Sequence, residues 1–569
     1  WQHVEFVRDL TYWLAINGRA SQFANGMICS EDVVYFILVS ALFISLSVLR
    51  LNAVRQKSTL AMNLGRYVGV CVLAIILGYF TTLPVLKLYY DATRMKVNTL
   101  TQNSQDIVKM AEGGMTITTF SNLIAPSRNT FASPEAINRD KERLSKFIRF
   151  KPEIKLKYVY YYDTVTSPSQ DKRYPGLNTE QRAKEIMRIH GLDSNMFLKP
   201  EEIRAQIDLL PEKNKFVRVL ERESGEKTFL RVYNDMGHFP REAEITAAFK
   251  RIVMELPKVG FLTGHGERDI KKLGDRDYNS FTLDKSFRYA LINQGFDIEN
   301  VTLDKEVNPE IRILVIAEVR DEMSEVECEN LDKYIACGGN LLIMNEPKSA
   351  GNIEPLLAKL GVKVVPGTLV RQTENFSPDL ILSSPTKEAG EMAYWFENMI
   401  KEDQVIVTPG VSGLEYSTDK GYQVTPLFLT DSLVWNELET TNFVDDAIEL
   451  NEEAGEVQQR YATGLALTRK LGDKEQKIMI FGDADCISNG ELGMFRQDIL
   501  ANNFNIVMGS FFWMSDEEVP VDVRRLDPLD NQVYMDEKGL ATWKVIMMWI
   551  IPGLLVIFSI LIWIRRRGR

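Results

Sequence analysis

The side chains with the clearest capacity for chemistry sit in three turns, each of which ends an apolar run. Val259–Leu262 leads into Thr263-Gly264-His265-Gly266-Glu267, Asn340–Met344 into Asn345-Glu346-Pro347, and Lys477–Phe481 into Gly482-Asp483-Ala484-Asp485. A short apolar run bounded by turn residues is the pattern of a buried strand. In a doubly wound sheet such turns share one carboxyl edge, where strand ends and helix amino termini leave backbone groups free to bind a ligand. The predicted binding edge is therefore Gly264, His265, Gly266, Glu267, Glu346, Asp483 and Asp485, with Asp269 beside it. An acidic cluster with one imidazole could hold a cation, or bind a polar group of a ligand or partner. The plainer alternative is local: Asp483 and Asp485 cap the next helix, and His265 satisfies a backbone carbonyl.

Covalent catalysis has no visible machinery. A nucleophile needs a base within hydrogen-bond reach, and besides His265 the interior offers His190 and His238. No G-x-S-x-G or G-x-C-x-G elbow ends a strand. Cys486 follows Asp485 without the small-residue turn that presents a nucleophile, so a packed thiol is expected. There is no G-x-x-x-x-G-K-[ST] loop and no dinucleotide fingerprint after a strand. The cysteines (Cys29, Cys71, Cys328, Cys337, Cys486) lack metal-ligand spacing. Cys328 and Cys337, on one predicted helix, lie about 13 Å apart, beyond disulfide reach. No catalytic residue, cofactor or metal is assigned, and the expectation is a protein that is not an enzyme. A membrane-anchored, degenerate amidotransferase-like or hydrolase-like enzyme using the His265 edge is the alternative. The net charge of -11, with no basic stripe interleaved with aromatics, excludes nucleic acid as a partner.

The elements that must carry these turns alternate. A helix near 101–111, a strand at Met115–Phe120, a helix near Pro134–Phe150 and a strand at Lys155–Tyr162 form a β-α-β order, which implies a parallel pair. Ser167–Asn214 reads as short helices and loops, and Lys215–Leu220 with Thr228–Tyr233 as a hairpin. A helix at Arg241–Leu256 precedes the His265 strand. After it come a helix at Leu283–Gln294, strands at Phe296–Val301 and Ile311–Ala317, and a helix opened by the capping box Ser324–Glu327. Strands are expected at Gln404–Thr408, Tyr422–Leu429 and Tyr461–Thr468, and a helix at Ala501–Trp513.

Outside this region, Val33–Leu49, Tyr67–Leu86 and Val545–Ile564 are uncharged apolar runs long enough to cross a bilayer, the last with a kink expected at Pro552-Gly553. The aromatics Trp1, Phe6, Tyr12 and Trp13 suggest helical segments at a membrane interface. Arg50, Arg55, Lys57 and Arg66 lie between the first two runs, and Arg565, Arg566, Arg567 and Arg569 follow the third. The positive-inside rule places both groups in the cytoplasm and the chain from about Lys87 to Lys544 on the other side. The chain begins with Trp1, which predicts a processed product or a fragment.

Phe261–Glu267 (FLTGHGE), Ile313–Pro347 and Ile478–Asn489 (IMIFGDADCISN) together resemble the GldG-type auxiliary subunit of gliding-motility-associated ABC transporters, as does Asp91–Lys109. Phe23–Leu51 is similar to the end of a GldF-type ABC-2 permease. The resemblance implies an inner-membrane, multi-pass component whose large periplasmic region binds substrate or an envelope partner. It also implies a separate ABC ATPase subunit, and a permease subunit or missing permease portion. It supplies no catalytic residue.

The expected organisation is an α/β, membrane-anchored chain. Residues 1–66 are the end of the permease with helix 33–49, and 67–86 a transmembrane helix. Residues 87–256 and 257–515 form two extracytoplasmic lobes, with a flavodoxin-like or amidotransferase-like, mainly parallel sheet. Residues 516–544 are a stalk and 545–564 the last of three transmembrane helices.

Overall fold

A computed structural model describes residues 16–56, 59–81, 86–125, 136–444, 448–525 and 535–567. Two compact units result, one built from residues 100–523 and the other from 16–99 with the chain after 524.

In the second unit, helices Ser30–Arg55, Leu60–Thr81 and Glu537–Arg567 are long and apolar enough to cross a membrane. Their large apolar side chains, such as Phe43, Leu73 and Leu555, are exposed, as they are where lipid rather than protein is the solvent. The second helix starts at Leu60, earlier than the expected 67, and is described to Thr81; residues 82–85 of the expected span lie outside the described residues, as does the aromatic segment 1–15. The third carries a π turn at Ile546–Ile550. Pro552 has no N–H to return to Met548, so the helix widens just before it. Strand β1 (Met27–Cys29) pairs antiparallel with β2 (Tyr89–Asp91).

The first unit contains two sheets. The five-stranded one uses β3 (Met115–Asn122), β4 (Ile154–Tyr161), β5 (Phe197–Leu198), β6 (Val217–Arg222) and β7 (Lys227–Arg231), in the order β5-β4-β3-β6-β7. The expected parallel pair, β3 with β4, and the hairpin, β6 with β7, are present. The crossover at 137–150 is two short helices, Ile137–Arg143 and Ser145–Phe150, rather than one; the expected start at Pro134 lies outside the described residues. Within Ser167–Asn214, Thr179–His190 is a full helix opened by an Asn178–Gln181 capping box.

The eleven-stranded sheet carries the predicted edge. Its parallel block is β8 (Lys258–Leu262), β9 (Asp297–Val301), β10 (Ile311–Ala317), β11 (Asn340–Met344) and a last strand at Lys474–Phe481. Except for β9 at the sheet edge, these strands are buried on both faces: in β10, Ile313, Val315 and Ala317 face one core, Leu314 and Ile316 the other. Period-two alternation between two apolar layers explains why such strands read as continuous apolar runs. The remainder, β12 (Val362–Val364), β14 (Leu380–Pro385), β15 (Ile406–Pro409), β16 (Leu414–Tyr416), β17 (Gln423–Leu429) and β19 (Ala462–Leu471), is antiparallel; β13 (Thr368–Val370) and β18 (Trp435–Glu437) form a separate pair. The sheet is thus mixed and not mainly parallel. The antiparallel part joins the parallel block at the tight turn of Gly472, with φ +62, which folds β19 back against β20 (Lys474–Phe481).

The expected helix at Leu283–Gln294 is also absent. Asp284 accepts from the amide and hydroxyl of Ser286, and Asn293 donates to the Phe287 carbonyl, so side chains hold turns where helical bonds were expected. Only Leu291–Gln294 is helical, stopped by Gly295 in the left-handed region. The helix Phe504–Met514, apolar apart from Asn505 and Ser510, is buried from Asn505 onward, and Glu242–Val253 packs into the same core from the side of the smaller sheet.

Candidate functional site

The turn after β8 is built to hold an imidazole still. Gly264 and Gly266 adopt φ values of +132 and +77, conformations that side chains resist. Between them His265 is buried: its Nδ1 lies 3.0 Å from Glu267 Oε1 and its Nε2 3.1 Å from Glu327 Oε1. The His265 amide donates to Glu267 Oε2 (2.7 Å), and its carbonyl accepts from the amides of Arg320 and Asp321. Burial alone lowers the imidazole pKa, but the hydrogen bonds and charges of Glu267 and Glu327 outweigh it and raise the pKa. Glu327 is held at about 2, chiefly by its bonds to the Ser324 hydroxyl and amide in the capping box. The His265 ring therefore bonds carboxylates rather than the backbone carbonyl of the plainer alternative, and its partners are Glu267 and Glu327, not the other predicted edge residues.

Those residues meet around Arg268, which the sequence did not mark. Its side chain is 1% exposed. Nη1 lies 2.7 Å from Asp485 Oδ1, Nη2 3.0 Å from Glu346 Oε1, and Nε 2.6 Å from Glu318 Oε2, the last an ion-pair contact without hydrogen-bond alignment. Nη1 also donates to the Arg276 carbonyl at 2.7 Å. Arg276, 55% exposed, reaches Glu318 at 3.3 Å, Asp485 at 3.3 Å and Glu346 at 3.7 Å. Arg320 adds a contact of 2.6 Å to Glu318. Glu318 follows β10 with φ +57, unusual for a side chain of its size.

Glu346, Asp483 and Asp485 place carboxylate oxygens within 4.8 Å of one another. Burial pushes Glu346 up to about 7, with Asp485 adding to the rise and Arg268 opposing it. Asp483, fully buried, is raised well above the usual carboxylate range by burial, then by Glu346 and Asp485. Its Oδ1 accepts from the Asp485 amide (2.6 Å), a bond within the turn, while Oδ2 has no hydrogen-bond partner; the next helix, Asn489–Gly493, is capped by Ser488 and not by Asp483 or Asp485. The trio has the oxygen chemistry of a hard-cation site, but Arg268 already neutralises two of its members. Asp269 stands apart and accepts from the amides of Lys271 and Lys272.

Cys486 is buried, its Sγ donates to the Asp483 carbonyl at 3.3 Å, and burial with the neighbouring acids drives its thiol pKa up. That is the packed thiol expected from the sequence and the opposite of an activated nucleophile. Tyr278, fully buried, donates to the Ala484 carbonyl at 2.7 Å and ties the two turns together.

Residues 256–508, which contain every member of this site, match a family described as an ABC-type uncharacterized transport system. The match supports an auxiliary component of an ABC transport system. A comparison with curated proteins returned no match. Among solved structures, the mmIFT52 N-terminal domain is similar at 16% identity and a TM-score of 0.32, over 46% of this chain and 98% of that one. A ThuA-like protein from Parabacteroides merdae is similar at 12% identity and a TM-score of 0.25, over 48% of this chain and 94% of that one.

Proposed function

We propose that this chain is a GldG-type membrane component of an ABC transport system, fused at its start to the end of a GldF-type permease. In this reading residues 87–515 lie on the periplasmic side of the inner membrane and bind a substrate or an envelope partner at the Arg268 edge, with no catalysis of their own. The family match over 256–508, on a chain with three membrane-length apolar helices, carries the reading. The cationic residues Arg50, Arg55, Lys57 and Arg66, and the terminal arginines, support the orientation. ATP hydrolysis falls to a separate ABC ATPase, and transport to a permease subunit or the remainder of the fused permease. Extraction in a gentle detergent should recover the chain with an ATP-binding subunit and a permease; recovery of the chain alone refutes the assignment. A degenerate hydrolase or amidotransferase is disfavoured by the buried, proton-holding Cys486 and by an imidazole whose ring partners are both carboxylates.

A further inference from the structure

A cleft of about 680 Å³ opens between the five-stranded sheet and the loop that continues from the Arg268 turn. One wall is the segment entering β6 (Pro211–Phe216) with the chain leaving β7, and the other is the loop region 271–286. Its volume falls within the roughly 300–1,000 Å³ of small-molecule sites, which favour such seams between lobes.

The charge in the cleft is unevenly spent. Glu212 is buried and bound by Arg231 (2.8 and 2.9 Å) and by Lys285 (2.9 Å). Asp284 is used by the Ser286 amide and hydroxyl. Lys213, Lys215 and Lys271 also line the cleft, are exposed, and have no carboxylate within ion-pair distance among the described residues. On a chain of net charge -11, three lysines around one cavity, none paired with a carboxylate among the described residues, are a local reversal of sign.

The walls are fixed before any ligand arrives. Lys213 and Asn214 are consecutive left-handed residues, φ +57 and +50. Buried Asn214 locks them: its Nδ2 donates to the Thr164 carbonyl (3.0 Å) and its carbonyl accepts from Asn122 Nδ2 (2.9 Å). Lys285 Nζ donates to the Pro211 carbonyl (2.8 Å) and the Asn234 amide to the Ser286 carbonyl (2.9 Å), so the walls are joined by hydrogen bonds. Backbone strain held by its surroundings is a feature of ligand clamps. Leu273, Leu283, Phe216 and Tyr233 give the same cavity an apolar side.

We propose that this cleft binds a phosphomonoester carried on an apolar or ring group, with Lys213, Lys215 and Lys271 around the phosphate. The inference does not depend on the transporter reading. The test uses the full chain in phosphatidylcholine nanodiscs and titrates 1-naphthyl phosphate, 1-naphthol and inorganic phosphate by calorimetry. Naphthyl phosphate should bind more tightly than either fragment. The combined Lys213→Glu, Lys215→Glu and Lys271→Glu variant should weaken it at least about tenfold, and Lys305→Glu with Lys470→Glu should leave it unchanged. Nanodiscs containing phosphatidic acid separate the sources: competition assigns a lipid headgroup, and its absence a soluble phosphomonoester. No binding of naphthyl phosphate, or a loss equal in the Lys305/Lys470 variant, overturns the proposal. Melting curves establish that the variants are folded; should the combined variant fail to fold, Lys271→Glu alone is read against the same criteria.

Discussion

Replacing Arg268 by methionine keeps most of the stem volume and removes the charge on which the candidate edge is centred. Three carboxylates lose a contact, Glu318 at 2.6 Å, Asp485 at 2.7 Å and Glu346 at 3.0 Å. Removing one partner of a buried pair costs about 3–5 kcal/mol, because the charge left behind is uncompensated. Glu318 keeps Arg320 at 2.6 Å, so the expected loss lies at the lower end, about 3 kcal/mol. The loss should depend on pH. Burial and Asp485 already raise Glu346 to about 7 against the pull of Arg268. Without the guanidinium its folded pKa rises further above the unfolded value, so the folded state binds the additional proton and stability falls as pH increases through that window. Denaturant unfolding of the full chain in nanodiscs should show a small penalty near about pH 5 and the full one near about pH 8, with Arg268→Met/Glu346→Gln recovering part of it. A penalty below about 1 kcal/mol, or the same at both pH values, refutes the reasoning.

His265 makes the opposite prediction from its neighbours. Its pKa is raised in the fold, so its stabilisation is present below the unfolded value of about 6.5 and lost as pH rises through the folded value. The stability gap between the native chain and His265→Asn should narrow as pH rises, and a constant gap rejects it. Gly482→Ala places a Cβ 2.1 Å from the Ser412 carbonyl oxygen, in a backbone pinned by bonds from the Gly482 amide to Thr463 and from the Ser412 amide to Gly482. A loss of about 3 kcal/mol or more is expected in the same unfolding assay, with Gly351→Ala, which meets nothing within 4 Å, as the tolerated control. Cys328 and Cys337 are exposed while Cys29 and Cys486 are buried. A membrane-impermeant maleimide should label the first two on intact spheroplasts; labelling only after lysis reverses the proposed topology.

What the sequence revealed follows from how each element is buried. The parallel strands were legible because both of their faces are apolar, as in Asn340–Met344, where every residue is buried. The antiparallel half was partly hidden: Leu380–Pro385 contains Ser383, Ser384 and Pro385, which read as a loop until its pairing with β15 and β17 is known. At Leu283–Gln294 the helical spacing of apolar residues was real, but the Asp284 and Asn293 side chains took over the backbone groups. The binding edge was legible as turns and not as a network. Glu346, Asp483 and Asp485 converge as expected, whereas Arg268 looks like any surface arginine until Glu318, Glu346 and Asp485 are brought to it from distant positions. Its place directly after Gly-His-Gly-Glu, in a turn already singled out, was the signal that was available.

Stability alone is a poor account of that network. A buried arginine among carboxylates does no better than well-packed apolar residues of the same volume at closing the ends of buried strands. Here it is accompanied by two further liabilities, the left-handed Glu318 backbone and the unpartnered, fully buried Asp483 Oδ2. Local conflicts of this kind concentrate where a protein has work to do. The two main arginines also differ in how they are held. Arg268 is enclosed and in contact at 2.6–3.0 Å, while Arg276 is mostly exposed and sits at 3.3–3.7 Å from the same carboxylates. The inner guanidinium is enclosed by the acids, and under the binding proposed above the outer one is the cation that would meet an incoming anion. This division between an enclosed and an exposed cation is what the proposed recognition edge requires and what a purely structural ion cluster does not.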